Sequence, residues 1–229
     1  HLPRPHVAAD AGIVAFLLKL LTPQFLSVSD FGAGVGQYGR ALLSHDVRHR
    51  WTGYDAAGNV ELATNGLVKY FDLSIPLSLP RTDWVMSFEV GEHVPPSQEM
   101  MVVRNLHAHN CRGIILSWAY LGKAGVGHVN NHGRAYLTRL FTQLGYRVNE
   151  ELSAMLRANR TKAQFARGLP KLLGLHPAHA RADGSVGRGV MRALRYRNYS
   201  QSWFWLRATV FERIVPLRTP SCTQPIELN

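Results

Sequence analysis

The chain has 229 residues, 46% of them hydrophobic, which suits one globular domain and leaves little room for two. Its formal net charge is +11. The two cysteines, Cys111 and Cys222, lack the spacing of a zinc site. The apolar run from Ala11 to Leu21 is too short to cross a bilayer and contains Lys19, so we expect no signal or membrane-spanning segment in this sequence.

Helical and extended patterns alternate along the first 149 residues. Helices are predicted over 7–21, 37–44, 97–109 and 133–144, with Ser97 as an N-cap. Strands are predicted over 26–31, 50–55, 67–72, 83–88, 113–118, 146–148 and 203–214. This alternation predicts an α/β fold with a doubly wound, mostly parallel seven-stranded sheet, in which the last strand is antiparallel.

The positive charge is concentrated between residues 157 and 197, which we call the basic segment. This segment holds ten arginine and lysine residues against one acid, Asp183, whereas the rest of the chain carries a net charge of only +2. We interpret 157–199 as an insertion before the final strand of a single domain spanning 1–229. It is either a solvated insertion or a surface that recruits an anionic partner, such as nucleic acid, a phosphorylated substrate, an acidic glycan or a membrane.

Glycine occupies every second position after the first predicted strand, at Gly32, Gly34 and Gly36, and Asp30 stands just before them. A backbone that turns sharply from strand into helix needs residues without a Cβ atom. The bare backbone also lets a ligand lie over the N-terminus of the next helix. The pattern therefore predicts a nucleotide-like cofactor beside residues 32–36, which we call the glycine turn.

Two classes of cofactor fit this turn. Gly34-x-Gly36-x-x-Gly39 matches the dinucleotide fingerprint, and Asp55 follows at about the 20-residue spacing of that fingerprint. A carboxylate at Asp30, however, would repel a pyrophosphate and attract the amino and sulfonium groups of S-adenosylmethionine. The sequence therefore favours S-adenosylmethionine.

The segment Asp30-x-Gly32-x-Gly34-x-Gly36 resembles the first motif of class I S-adenosylmethionine-dependent methyltransferases, and the likeness extends over residues 26 to 150. Ligands of open α/β sheets bind across the carboxyl ends of the strands. The first four predicted strands each end in or beside an acid at that edge, namely Asp30, Asp55, Asp72 and Glu89.

The resemblance implies a role for each matched position. Asp30 would bind the methionine amino group, and Asp55 would accept hydrogen bonds from the ribose hydroxyls. Asp72, with Leu73, would border the adenine and accept from its exocyclic amine. Gly32, Gly34 and Gly36 would let the backbone close on the cofactor, and Phe88 and Glu89 would line its methionine side.

A second group of functional residues follows the fourth predicted strand, in Glu89-Val90-Gly91-Glu92-His93. On one helical turn, Glu89, Glu92 and His93 project to one side and suit magnesium, manganese or zinc. The pattern resembles that of the ubiquinone-biosynthesis O-methyltransferases and of the small-RNA 2′-O-methyltransferases, which add a downstream histidine as a metal ligand. His128 or His132 would supply that histidine here. Alternatively, Glu92 and His93 line the acceptor pocket, with His93 as a general base.

Residues after the fifth predicted strand are candidates for the acceptor side, namely Trp118, Tyr120, His128 and His132. Core packing is an equal interpretation for Trp118. His107 and His109 lie away from the ligand-binding edge and are expected at the surface. A hydrolase is excluded as a working hypothesis, because the sequence has no Gly-x-Ser-x-Gly motif.

The sequence thus predicts an S-adenosylmethionine-dependent methyltransferase, with Glu89, Glu92 and His93 as its catalytic residues. Its acceptor is expected to be a small-molecule or sugar hydroxyl. One alternative is an RNA methyltransferase that binds nucleic acid through residues 157–197. The other is a non-catalytic scaffold. The four strand-end acids argue against it, because a scaffold has no physical need for all of them.

Overall fold

The computed structural model describes residues 9–45, 50–158 and 208–215. The helices are α1 Ala11–Leu21, α2 Gln37–His45, α3 Val60–Thr64, α4 Glu99–Ala108, α5 Arg134–Gln143 and α6 Glu150–Ala158. The strands are β1 Ser27–Phe31, β2 Arg50–Asp55, β3 Val68–Tyr70, β4 Thr82–Phe88, β5 Asn110–Ser117, β6 Tyr146–Val148 and β7 Thr209–Arg213. Single 3-10 turns cover Thr22–Gln24, Gly91–His93 and Pro96–Gln98.

The strands form one seven-stranded sheet in the order β3-β2-β1-β4-β5-β7-β6. The pairs among β1 to β5 are parallel, whereas β7 runs antiparallel to both β5 and β6. The predicted fold class, including the antiparallel last strand, is therefore confirmed. This order places β1 and β4 at the centre, with their carboxyl ends side by side.

Successive residues of each strand point to opposite faces, so the sheet separates two hydrophobic cores. On one face, α1 packs Phe16 and Leu17 against Val28 and Trp51. On the other face, α4 and α5 pack against the sheet in a core built from Phe31, Val85, Leu106, Ile114, Phe141 and Phe211. The layers on both faces are those of a doubly wound fold.

Several local predictions are wrong or incomplete. Helix α4 begins at Glu99 behind two 3-10 turns, and Ser97 is not its N-cap residue. His109 is 3% exposed rather than at the surface. Both of its ring nitrogens have partners inside the protein: Nδ1 donates to the Asn105 carbonyl oxygen at 2.7 Å, and Nε2 accepts from the Leu79 amide. Burial lowers the pKa of His109, so it lies in the core as the neutral imidazole. Helices α3 and α6 were not predicted.

The start of the basic segment belongs to the folded domain. Arg157 lies in α6, and its guanidinium donates to the Ala208 carbonyl oxygen at 3.2 Å. The rest of the basic segment, and residues 203–207 of the predicted last strand, lie outside the described residues. None of the helices in the described ranges has the length and apolar character needed to cross a bilayer.

Candidate active site

The glycine turn connects β1 to α2 at the carboxyl edge of the sheet. Gly32, Gly34 and Gly36 have φ values of 86°, 57° and 76°, in the left-handed region that favours glycine. A Cβ atom on Gly32 would lie 2.2 Å from Cγ2 of Val90, so the turn and the segment after β4 are in direct contact. The alternating glycines are therefore required by the backbone, as the sequence predicted.

Asp55 at the end of β2 holds this turn in place. Its Oδ2 accepts the Gly34 amide at 2.8 Å, and its Oδ1 accepts the Ala57 amide at 2.9 Å. A carboxylate has about four lone-pair sites, so two remain for a ligand. Asp55 thus has a structural role that the sequence did not reveal, beside the ligand role that the resemblance implies.

Asp30 lies at the end of β1 and is only 2% exposed. Its Oδ2 has no hydrogen-bond partner among the described residues. Burial raises the pKa of Asp30 to about 8; the nearby Trp51 indole opposes this effect, and the negative charge of Asp55 adds to it. The side chain is therefore protonated at neutral pH, and a nearby cation would favour its ionised form.

The remaining cofactor candidates lie along the same edge. Asp72 follows β3, is half-buried and accepts the Ser74 amide at 2.8 Å through Oδ1. Leu73 packs in the core beside Tyr54. Phe88, the last residue of β4, is half-buried and meets the Tyr38 ring edge-on at 5.8 Å between centroids.

The segment after β4 buries two carboxyl groups. Glu89 has a φ of 54°, rare for a residue with a Cβ atom, and its amide donates to the Ser117 hydroxyl at 3.1 Å. Glu92, in the following 3-10 turn, is fully buried, and neither of its carboxyl oxygens has a hydrogen-bond partner among the described residues. Burial and then the Glu89 carboxylate raise the pKa of Glu92 to about 8, and burial raises the pKa of Glu89 as well.

Glu92, His93 and His128 converge, and we call them the Glu92 cluster. One ligand atom from each lies within 4.8 Å of the other two. The two imidazole rings are perpendicular, with centroids 5.0 Å apart. The backbone brings His128 to this place, because the Val129 and Asn130 amides donate to the Glu92 carbonyl oxygen at 2.8 and 3.1 Å. Glu89 is not a member of this cluster.

The other acceptor-side candidates have different surroundings. Trp118 is 3% exposed, and its indole donates to the Asn130 carbonyl oxygen at 2.6 Å. Its ring lies directly against Gly91, where a Cβ atom would be 2.2 Å away. His132 is bonded to Glu99 rather than to the Glu92 cluster, and Tyr120 is half-buried. Sequence reasoning missed Glu99, which resembled an ordinary first-turn acid of a helix.

Known proteins match the chain through its fold. No protein-family model and no curated protein matches it. The small RNA methyltransferase HEN1 superposes over 60% of this chain and 22% of its own, at 16% identity and a TM-score of 0.50. Magnesium protoporphyrin IX methyltransferase (ChlM) from Synechocystis PCC 6803, with bound SAH, covers 59% of this chain and 71% of its own, at 18% identity and a TM-score of 0.47. Such identities concern the fold alone, and the fold is that of class I methyltransferases.

Proposed function

We propose that this protein is an S-adenosylmethionine-dependent methyltransferase that acts on a hydroxyl group with the help of a divalent metal ion. The observation that carries the proposal is the Glu92 cluster. Glu92 and His93 follow β4, His128 follows β5, and their ligand atoms converge. Contact between Val90 and Gly32 keeps this cluster next to the proposed cofactor site.

The cofactor site is proposed from the acids at the strand ends. Asp30 is buried and has an unpartnered oxygen, which suits the positively charged amino group of the methionine moiety. Asp55 has acceptor capacity left for ribose hydroxyls, and Asp72 with Leu73 would border the adenine. Gly32, Gly34 and Gly36 leave the backbone bare beside the cofactor, and Phe88 and Glu89 would line its methionine side.

The donor atoms of the Glu92 cluster fit a divalent transition-metal ion. A fully buried carboxyl group with two unpartnered oxygens is costly unless a hydrogen-bond donor or a cation compensates it. Nδ1 of His128 also lacks a hydrogen-bond partner among the described residues. Two imidazoles beside one carboxylate suit manganese, cobalt or zinc better than magnesium, which prefers oxygen ligands. Glu92, His93 and His128 would be the ligands, with Glu89 beside them.

Catalysis in this proposal consists of positioning and proton removal. The acceptor oxygen attacks the methyl carbon, the carbon–sulfur bond breaks, and S-adenosylhomocysteine leaves as a neutral thioether. A bound divalent ion would lower the pKa of the acceptor hydroxyl. With His93 bound to the ion and its Nδ1 3.2 Å from the Gly127 carbonyl oxygen, its imidazole has no basic nitrogen left, so the metal-bound hydroxyl would lose its proton to solvent. Without an ion, the exposed His93 would be the general base. A bound cation would favour the ionised form of the buried Glu92, which would then offset part of the charge of the ion.

The acceptor is proposed to be a small molecule or a sugar that carries a hydroxyl group. The connection that carries His128 also exposes three apolar side chains, which suits an acceptor with an apolar part; they are Leu121, Val126 and Val129. RNA is the second candidate. His128 joins Glu92 and His93 in the way that the likeness to small-RNA 2′-O-methyltransferases implies, and the basic segment would supply phosphate contacts.

Calorimetric titration and a methyl-transfer assay test the proposal together. S-adenosylhomocysteine should bind and NAD should not, and binding should raise the melting temperature by mass action. A chelator should abolish transfer to hydroxyl acceptors, and manganese or cobalt should restore it. Binding of NAD without S-adenosylhomocysteine would refute the cofactor assignment. Transfer that is indifferent to the chelator would leave His93 as a base without a metal, and cofactor binding without transfer to any acceptor would favour the scaffold.

A further inference from the structure

Glu99 is a buried carboxylate that accepts hydrogen bonds from three side chains. It is 5% exposed at the start of α4. Its Oε2 accepts from Asn130 Nδ2 at 2.9 Å and from His132 Nε2 at 2.5 Å, and its Oε1 accepts the Tyr136 hydroxyl. Burial by itself raises the pKa of Glu99, but the hydrogen bonds from these three side chains outweigh it and the net shift is downward. The carboxylate is therefore ionised at neutral pH.

The three donors come from one region of the chain and support one another. The His132 ring stacks on the Tyr136 ring, with centroids 4.0 Å apart and planes 15° apart. The hydrogen bond to Glu99 raises the pKa of Tyr136 to about 12, so this hydroxyl keeps its proton. We call Glu99, Asn130, His132 and Tyr136 the Glu99 anchor.

The Glu99 anchor acts on the segment that carries His128. The connection from Trp118 to Gly133, between β5 and α5, contains no helix or strand, and all of it lies within the described part of the chain. Hydrogen bonds must therefore set its path. Asn130 is held at three points: its side chain on Glu99, its amide on the Glu92 carbonyl, and its own carbonyl on the Trp118 indole.

We propose that Glu99 is a positioning residue. Through Asn130 and His132 it holds the segment carrying His128 against the turn that carries Glu92 and His93, and so sets the affinity of the Glu92 cluster for a divalent cation. The three side chains that donate to Glu99 do not belong to the Glu92 cluster, so Glu99 would act on the cluster through Asn130 and His132. This inference rests on the proposed function.

The test replaces Glu99 with glutamine, which keeps the size of the side chain but turns one acceptor oxygen into a donor. Cobalt(II) is the probe, with binding followed by calorimetry and by its visible absorption spectrum. Residues that orient metal ligands typically change metal affinity by about 10- to 100-fold. We expect Glu99→Gln to bind cobalt at least tenfold more weakly, with unchanged affinity for S-adenosylhomocysteine. Glu151→Gln, at an exposed position in α6, is the matched control.

Hydrogen exchange supplies a readout that needs no metal. The Val129 and Asn130 amides, which donate to Glu92, should exchange faster in Glu99→Gln than in the wild type and in Glu151→Gln. If Glu99→Gln does not fold, the same two measurements on Tyr136→Phe test the inference. It removes one donor and keeps the ring, so a smaller change in the same direction is expected.

The outcomes separate this inference from the proposed function. Unchanged cobalt affinity in the folded variant overturns the inference, even if the two amides exchange faster, because His128 would then be placed without Glu99. Unchanged amide exchange overturns it as well. A wild-type protein that binds no cobalt refutes the metal site of the proposed function, and the inference falls with it.

Discussion

Asp30 gives the stability of the protein a distinctive pH dependence. Its pKa is about 8 in the folded state, against 3.8 for an ordinary aspartate. Between these values the folded protein keeps a proton that the unfolded chain has lost, so the free energy of unfolding falls as pH rises. The contribution is complete below pH 3.8 and is lost once pH passes the folded pKa. One group changes stability by at most about 1.4 kcal/mol per pH unit, and the slope falls to about half of this near the folded pKa, so the loss between pH 6 and pH 8 is about 2 kcal/mol.

Urea denaturation at pH 6, 7 and 8 measures this slope. Asp30→Asn has nearly the same shape and cannot ionise, so its stability should vary less with pH than that of the wild type. Glu151→Gln controls for the loss of one acidic residue at an exposed position. Saturating S-adenosylhomocysteine should also flatten the wild-type slope, because its amino group favours the ionised carboxylate. Equal slopes in the wild type and Asp30→Asn would refute the reasoning.

Three further predictions follow from the turn and from the charge. In Asp55→Asn, the new side chain has one acceptor oxygen and cannot replace both carboxylate oxygens that hold the Gly34 and Ala57 amides. A charged hydrogen bond is worth about 1.5–3 kcal/mol, so calorimetry should show at least a tenfold loss of S-adenosylhomocysteine affinity. Gly32→Ala places a Cβ atom 2.2 Å from Val90 at a φ of 86° and should cost at least about 1–3 kcal/mol of stability in urea, whereas Gly58→Ala, in open space, should be nearly neutral. If RNA is the acceptor, its binding in mobility-shift assays should weaken steeply with salt, and glutamine at four arginines should flatten that dependence without changing cofactor affinity; no RNA binding at low salt would remove this candidate. The four are Arg188, Arg192, Arg195 and Arg197.

The glycine turn and the sheet were predictable because their causes are local. A strand that turns at once into a helix needs left-handed backbone, and the three alternating glycines adopt it. The alternation of strands and helices then determines a parallel sheet, and the carboxyl ends of its strands bring Asp30, Asp55 and Asp72 to one edge. These are consequences of backbone geometry, which a single sequence encodes directly.

The Glu99 anchor was not predictable because it depends on side chains that are distant in sequence. Asn130, His132 and Tyr136 follow Glu99 by more than thirty positions, and no spacing rule links them. Only the packing of α4 against the connection after β5 shows why His132 and His128 have different partners. By contrast, the sequence did indicate helix α6, since Leu152 and Met155 have helical spacing and Asn149 is a residue type that caps helices. In the structure the Asn149 side chain accepts the Leu152 amide.

The position of β7 has a consequence for the order in which the sheet is completed. β7 lies between β5 and β6, although it follows both in the chain, and pairs Gly113 with Glu212. During synthesis, β5 and β6 therefore emerge long before the strand that joins them. Until β7 arrives, the edge of β5 presents unpaired backbone beside Ile114 and Ile115, a template for pairing with other chains. We therefore expect the nascent chain to be exposed to aggregation until β7 has emerged, since pairing over such long range is generally slow.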